Sequence, residues 1–314
     1  MSGITDFADK LAAANTAYVE TFDSIEIWPG SFQFFTEDVG NINATSMSIG
    51  YTEDLAQART MKPGQDRAFD GLRAYAASYD LEEVYAALRL ERIKVQNDSS
   101  GRITRELQRF VQRGASIINT KVWTKLTANT VTGPDGVALL STAHPNGDGG
   151  ATQSNKTTDA LSHASYNAGK AAMRSYTREN GEDLDMTASH LFVHPDEERI
   201  AKEITGAERP VSVDNAGAVD TGTRIGVTSI TNVYQGDTTV VVTPKITSGD
   251  WLLMDLTKPG VRPWALGHGA PMQAAYPDER DDYVVRKLAM LEWVISGDIA
   301  HGPGHWQAAY GKLS

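Results

Sequence analysis

Two adjacent segments constrain the fold most: a long extended stretch over residues 42–96 and, directly after it, a long amphipathic helix. The extended stretch has few clustered apolar residues, and Pro63-Gly64 marks a turn within it. We therefore predict two extended arms around that turn, with a helix over 81–90 as the open alternative. Because such an arm has too little apolar surface to be stable alone, we expect it to lie on another subunit.

Residues 98–126 predict the clearest helix of the chain, with Asp98 placed to cap its amino end. About 27 residues at 1.5 Å each give a rod of roughly 40 Å, which is long for a helix in a globular core. One face is an apolar stripe, made of Ile103, Leu107, Phe110, Val111, Ile118, Val122 and Leu126. The opposite face is polar and basic, with Arg102, Arg105, Arg109, Arg113 and Lys121.

The amino-terminal segment predicts another amphipathic helix, over residues 4–22. Its apolar residues have no core nearby in the sequence, and a lone helix is marginal in water. We therefore expect this helix to lie against a neighbour. The stripe consists of Ile4, Phe7, Leu11, Ala14, Tyr18 and Phe22.

The rest of the chain predicts a mixture of helices and strands, and therefore an α+β fold. A turn at 133–136 leads into a Gly-rich loop, and a helix over about 160–179 ends at Asn180-Gly181. Leu191 to Pro195 predicts a short buried strand, and Pro195 opens a further helix. After a loop that ends near residue 223, the chain predicts strands, the last of which turn at Gly302-Pro303-Gly304.

Composition excludes several classes of function. The chain has no cysteine, which rules out disulfides, thiolate zinc sites and cysteine nucleophiles. Its net charge of −11 opposes tight binding of nucleic acid, although a protein that encloses nucleic acid does not have to bind it tightly. With no apolar run of about 18 residues and no signal-peptide pattern at the start, we expect a protein that is neither embedded in a membrane nor secreted by that route.

One cluster has the residue types of a hydrolase triad: Ser141, His144 and Asp148. Triad members normally come from distant segments, and the nucleophile-elbow pattern G-x-S-x-G is absent from the sequence. The spacing favours a turn with a capping serine. Asn146 and Asp148 lie among glycines but lack the spacing of a calcium loop, which favours a plain loop there.

Histidines are candidate metal ligands in two places of the sequence. His301 and His305 are four residues apart and Asp298 is close, but Gly302-Pro303-Gly304 between the histidines forbids the helix that would place both on one face. A packed turn is the default interpretation, with metal ligation as the alternative. His190 and His194 flank a strand without a third ligand near them, so we expect core or interface histidines. We assign no catalytic, cofactor-binding or metal-binding residue, and no cofactor.

The order of these elements resembles the Hong Kong 97-type capsid fold, and more narrowly the major head subunits of Mu-type phages. The stretch from Asp135 to Pro145 (DGVALLSTAHP) is similar to a segment of those proteins. An Ala-rich helix with Met173 and a strand that ends at Pro195 follow, as in that family. The ending from Gly304 to Gly311 (GHWQAAYG) is also similar.

The resemblance implies a division of the chain into the parts of that fold. These are an N-terminal arm (1–41), an extended β-hairpin loop or E-loop (42–96), a long spine helix with peripheral domain (97–154), an axial domain (155–275) and the return strands of the peripheral domain (276–314). In some relatives a loop lysine forms a covalent cross-link. Lys62 lies near the loop tip, but neither an acceptor nor a catalytic acid can be matched, so a plain surface lysine is expected.

The function implied is that of a major capsid protein of a tailed bacteriophage, and not of an enzyme. Its copies would form the pentamers and hexamers of an icosahedral shell around double-stranded DNA. The inner surface of the shell would contact this DNA only non-specifically. Portal, scaffold or decoration proteins are further partners that the resemblance implies. The location would be the virion, after assembly in the host cytoplasm. The alternatives are an encapsulin-like nanocompartment shell and, from another class, a hydrolase using Ser141 and His144.

Overall fold

The structure is a computed structural model that describes residues 2–25, 30–54, 72–146, 152–178, 180–206, 232–278 and 290–314. Its helices are α1 (Ser2–Asp23), α2 (Arg92–Gln96), α3 (Arg102–Ala115), α4 (Ile117–Ala128), α5 (His163–Arg174) and α6 (Glu198–Thr205). Its strands are β1 (Thr36–Asn41), β2 (Ser46–Asp54), β3 (Leu72–Asp80), β4 (Glu82–Glu91), β5 (His190–Val193), β6 (Thr239–Val242), β7 (Trp251–Met254), β8 (Trp264–His268), β9 (Gln273–Ala275), β10 (Met290–Pro303) and β11 (Ala309–Lys312).

The larger sheet is built around β10, the longest strand. Its order is β1-β8-β10-β4, and β9 also pairs with β10. β4 runs antiparallel to β10 from Glu91 opposite Met290 to Glu82 opposite Ile299. The helix alternative over 81–90 is therefore wrong, because this segment forms a ladder with β10 and buries alternate residues such as Val84.

Helix α1 packs on the larger sheet of its own chain. Phe7, Leu11, Ala14 and Tyr18 are buried against α3 and β10, in one cluster with residues that include Leu107, Val111, Leu291, Trp293 and Ile295. The predicted helix is confirmed, and its apolar stripe is buried by distant segments of the same chain instead of by a neighbouring copy. The partner residues lie about 100 and 280 positions away in the sequence, where local periodicity cannot reveal them.

The predicted spine helix is two helices that meet at Ser116. The Ser116 hydroxyl donates to the Arg113 carbonyl at 2.9 Å, and the Ser116 amide donates to the same carbonyl at 3.1 Å. Just before the break, Gly114 lies so close to β10 that a Cβ atom there would be 2.6 Å from Ile295 Cδ1. The apolar stripe is buried as predicted, but α3 faces one core cluster and α4 the other.

Asp98 serves as the predicted cap, from four residues before α3 begins at Arg102. Its Oδ2 accepts the Ile103 amide at 2.8 Å, and its Oδ1 accepts the Ser100 amide at 3.0 Å. The hydrogen bond from Ile103 is the main cause that lowers the pKa of the Asp98 carboxyl to about 2. The carboxylate therefore remains charged at the positive end of α3.

The smaller sheet has the order β11-β7-β5-β6 and is covered by helices. All four residues of β7 are buried, and the predicted buried strand at Leu191 is confirmed as β5. Helix α5 starts at a Ser162 capping box and ends at Arg174, before the predicted stop at Asn180-Gly181. The chain leaves the helix early and buries Tyr176 against Trp306, and Gly181 then lies in a separate turn with φ +82°.

The carboxy-terminal segment links the two sheets. β10 continues through Gly302 and Pro303 in the larger sheet, and β11 then pairs with β7 in the smaller one. At Gly302-Pro303-Gly304, where the sequence predicts a turn, the chain therefore passes from the larger sheet to the smaller one. Within the described ranges, no helix combines the length and apolar character that a membrane-spanning segment requires.

Candidate functional site

The extended segment forms a two-stranded hairpin, and its base is fixed to the larger sheet. β2 and β3 pair antiparallel over nine positions, from Ser46 opposite Asp80 to Asp54 opposite Leu72. At about 3.4 Å per residue this ladder is roughly 30 Å long. Met47 and Tyr79 from the hairpin are buried with Ala265 and Ala300 of the sheet. The turn predicted at Pro63-Gly64, and Lys62, lie outside the described residues.

Tyr79 holds the base of the hairpin in place. Its hydroxyl donates to the Pro303 carbonyl at 2.6 Å, and the Thr132 carbonyl lies 3.2 Å away. Burial raises the pKa of the Tyr79 phenol well above its usual range, so the hydroxyl stays a donor. The ring lies on Gly302, where a Cβ atom would be 2.4 Å from it. The direction in which the hairpin leaves the sheet is therefore fixed by packing and hydrogen bonds.

The two faces of the hairpin differ, and one of them is exposed. Tyr79, Met47, Ile49 and Ala77 point towards the sheet, because residues that alternate along a strand share one face. The other face carries only small side chains over the same stretch, and all of them are exposed. These are Ser48, Gly50, Ala74, Ala76 and Ser78.

The structure does not bring Ser141 and His144 together as a nucleophile and its base. The Ser141 hydroxyl accepts the Ala143 amide at 3.1 Å, as in a turn. His144 is fully buried, with its Nδ1 2.6 Å from Asp135 Oδ2 and its Nε2 3.0 Å from Asn155 Oδ1. Both ring nitrogens are thus engaged by groups other than Ser141. Asp148 lies outside the described residues.

Asn155 is the centre of this buried cluster, and sequence reasoning missed it. In the sequence it stands in a polar stretch, Gln153-Ser154-Asn155-Lys156-Thr157, which carries no sign of burial. Its Oδ1 accepts the Ser141 amide at 2.8 Å, and its Nδ2 donates to the carbonyl of Leu139 at 2.7 Å. The carbonyls of Trp306 and Ala309 lie 3.2 Å from the same Nδ2. Asn155 therefore joins the loop around Ser141 to the carboxy-terminal segment.

His301, His305 and Asp298 do not converge as a metal site would require. Asp298 is on β10, and its backbone pairs with residues 269 and 270. His301 is buried, and its Nδ1 accepts the Trp264 indole N–H at 3.3 Å. Burial lowers the pKa of His301 to about 4 and also lowers the pKa of His305. Over the described ranges, no group of three or more acidic or histidine side chains could hold a metal ion.

His190 and His194 have separate structural roles. The His190 ring packs 5.8 Å from the Phe34 ring, and its Nδ1 is 2.9 Å from Ser189 Oγ. His194 Nδ1 accepts the Asp196 amide at 3.2 Å and caps the helical turn at Pro195. Asn146, from the loop with cation-like composition, donates to Thr177 Oγ1 at 3.2 Å.

The comparisons with known proteins agree on one class. A family model described as "Phage capsid protein" matches residues 75–310. No curated protein matches the chain. Among solved structures, the decorated capsid of bacteriophage JBD30 aligns with TM-score 0.56 and 13% identity, over 70% of this chain and 91% of that chain. At such an identity the likeness establishes the fold.

Two further structures cover more of the chain. The Microbacterium phage Oxtober96 structure aligns with TM-score 0.55 and 11% identity, over 90% of both chains. The capsid of Cyanophage P-SCSP1u aligns with TM-score 0.54 and 12% identity, over 91% of this chain and 88% of that chain. Since the family model spans about three-quarters of the sequence, this chain belongs to the phage capsid protein family and is a major capsid protein, structural and not enzymatic.

Proposed function

We propose that copies of this chain assemble into pentamers and hexamers, which build the icosahedral shell of a tailed bacteriophage around double-stranded DNA. The observation that carries the proposal is the β2–β3 hairpin. It is fixed at its base by Met47 and Tyr79, yet it forms a two-stranded sheet of its own. An isolated two-stranded hairpin is at best marginally stable in water, so it needs a surface to lie on.

A second copy of the chain is the partner that suits this hairpin. The exposed face has small side chains and no charged group between Ser48 and Gly50 or between Ala74 and Ser78. Such a face can approach another subunit closely, and repetition of one such contact around a closed ring gives a capsomer. The virion is the location of the assembled protein, and we place its assembly in the host cytoplasm.

We also propose that the chain is a head subunit of the Mu type. The two stretches that resemble that family, Asp135–Pro145 and Gly304–Gly311, meet in the fold, because His144 stacks on Trp306 with ring centroids 4.1 Å apart. Residues of both stretches also bind Asn155. Resemblance in two segments that pack together supports a shared structural core.

The division into parts follows the same proposal. The N-terminal arm (1–41), the extended loop (42–96), the spine and peripheral domain (97–154), the axial domain (155–275) and the return strands (276–314) remain the proposed boundaries. Within this scheme β4 and α2 belong to the loop segment by sequence, but β4 pairs with β10 in the larger sheet and α2 packs on α1 and β4. Portal, scaffold or decoration proteins are proposed as further partners.

Two alternatives are weaker. An encapsulin-like nanocompartment would use the same fold, and cargo proteins inside purified shells, in place of DNA, would favour it. A hydrolase would need Ser141 Oγ near His144, whereas both ring nitrogens of His144 are engaged by Asp135 and Asn155.

The experiment compares two Ala→Glu variants by size exclusion and negative-stain microscopy. Ala76→Glu places a charge on the exposed face of the hairpin, and Ala171→Glu places one on the exposed side of α5. We expect both to keep the wild-type melting temperature, and only Ala76→Glu to stop at free subunits. Normal shells from Ala76→Glu would refute the role of the hairpin in assembly.

A further inference from the structure

One side of α3 is a strip of arginines with almost no compensating acid. Arg102, Arg105, Arg109 and Arg113 are all exposed. At 100° per residue they fall within an arc of about 80°, centred roughly opposite the buried Leu107 and Val111. They span about 16 Å along the helix axis. We call these four residues the arginine strip.

The arginines of the strip form few ion pairs and hydrogen bonds with other described residues of the chain. Arg109 lies 3.2 Å from Glu106, the only acidic residue of α3, and its side chain is still 65% exposed. Arg105 donates to the Ser100 carbonyl at 3.1 Å. Among the contacts of the described residues, no carboxylate is paired with Arg102 or Arg113. The strip is thus a concentrated positive surface on a chain whose net charge is −11.

The side chains that lie beside the arginines on α3 indicate what kind of molecule the strip contacts. Gln108, Gln112 and Ser116 are exposed hydrogen-bonding groups, whereas Ile103 and Phe110 are partly buried on the side of α1. A protein interface normally has an apolar or aromatic centre. A surface dominated by guanidinium, amide and hydroxyl groups, with Glu106 as the one carboxylate of α3, suits phosphate oxygens, which arginine binds in a bidentate manner.

We infer that the arginine strip is a non-specific contact surface for the phosphate backbone of duplex DNA, on the side of the subunit that faces the packaged genome. This inference rests on the proposed function, because it needs a shell that encloses DNA. Four arginines per subunit give weak binding to a single free copy. The same contact repeated over many subunits would hold the outer layer of DNA without reading its sequence.

The test measures binding of a fluorescent 30-base-pair DNA to the full-length, unassembled chain by anisotropy, from low to physiological salt. The strip variant is Arg102→Gln, Arg109→Gln and Arg113→Gln, which leaves the Arg105 bond to Ser100 intact. The control variant is Arg89→Gln, Arg199→Gln and Lys202→Gln, three exposed cations that are paired with Glu292, Glu203 and Glu198. Both variants remove three positive charges.

We expect wild-type protein to bind at low salt and to release DNA near physiological salt. The strip variant should bind at least about tenfold more weakly at low salt, and its slope of log affinity against log salt should fall by about 2–3. The control should stay within about threefold of wild type. Equal losses in both variants, or no binding by wild type at low salt, would overturn the inference.

Two further readouts separate this inference from its rivals. If polyglutamate bound the strip as tightly as DNA, the surface would be a site for an acidic protein segment, and the inference would be wrong. Micrographs of the strip variant should show normal shells; loss of shells with unchanged DNA binding would make the strip a subunit interface. Failure of the wild type to form shells would count against the proposed function, whatever the DNA titration shows.

Discussion

The Nδ1 atom of His144 lies 2.6 Å from Oδ2 of Asp135, and both side chains are buried. The pair connects the turn at 133–136 to the chain nine residues later, while stacking on Trp306 connects it to the carboxy-terminal segment. His144 and Asp135 thus form a buried polar pair that packs beside the hydrophobic core. Their contribution is to stability, and each of them can be tested separately.

Replacing His144 by alanine should destabilise the protein, because it leaves the buried Asp135 carboxylate without its partner. Leaving a buried hydrogen-bonding group without its partner costs about 1–3 kcal/mol, and more where the group is charged. The sequence alone favours a turn with a capping serine and predicts that alanine at Ser141 and His144 leaves particle formation intact. Ser141→Ala is the control, since its hydroxyl makes one exposed turn contact. Thermal unfolding should show a clearly lower melting temperature for His144→Ala alone; equal melting temperatures would show that the pair contributes nothing.

Leu107→Asp should unfold the protein or make it insoluble. Leu107 is fully buried between α1 and β10, and an unpaired carboxylate there costs several kcal/mol, comparable with the stability of a whole domain. Gln108→Asp adds the same group at the next, exposed position and should be tolerated. Soluble expression and urea unfolding of both variants check this. A stable Leu107→Asp protein would contradict the packing of α3.

Deleting residues 1–24 should destabilise the chain as well as prevent assembly. The sequence alone predicts a soluble protein that only fails to close shells. The structure changes this expectation, because α1 covers Leu107, Val111 and Trp293. Tyr18 also donates to the Val294 carbonyl at 2.8 Å. Size exclusion and circular dichroism of the truncated chain should reveal aggregation or a lowered melting temperature; a truncated monomer with wild-type stability would refute this docking of α1.

Stability should fall as the pH drops from about 6.5 to about 4, in part because of His301. Burial is the main cause that lowers the pKa of His301 from 6.5 to about 4, with nearby Lys125 adding to it and Glu82 opposing it. Between these values the unfolded chain binds a proton that the folded chain does not, so the free energy of unfolding decreases by up to about 3 kcal/mol.

His301→Gln keeps an acceptor for the Trp264 indole but does not titrate. Urea unfolding of both proteins at pH 7, 5.5 and 4.5 measures the difference. The wild type should lose more stability than the variant across this window. Parallel losses in the two proteins would mean that His301 does not contribute to acid sensitivity.

Local patterns predicted much of the fold. The stripe of α1, the stripe of α3 and α4, the cap at Asp98 and the buried strand at Leu191 all depend on periodicity or on neighbouring residues, and all are present. The break at Ser116 could not be predicted, because it coincides with the close approach of Gly114 to Ile295, about 180 residues away.

The same limit explains what was missed in the buried cluster and at the hairpin base. Asn155 binds groups from residues 139 to 309, and nothing adjacent to it in the sequence marks that role. Tyr79 depends on a carbonyl at Pro303 in the same way. Contacts between distant segments decide these sites, and a single sequence carries no direct record of them.

The most direct test of the account is negative-stain electron microscopy of the purified full-length chain, with sedimentation velocity on the same sample over a range of concentrations. We predict rings of five and six subunits or closed shells, in equilibrium with free subunits at the lowest concentrations. A chain that remained monomeric at every concentration, with no ring or shell in micrographs, would contradict the assignment as a shell-forming capsid subunit.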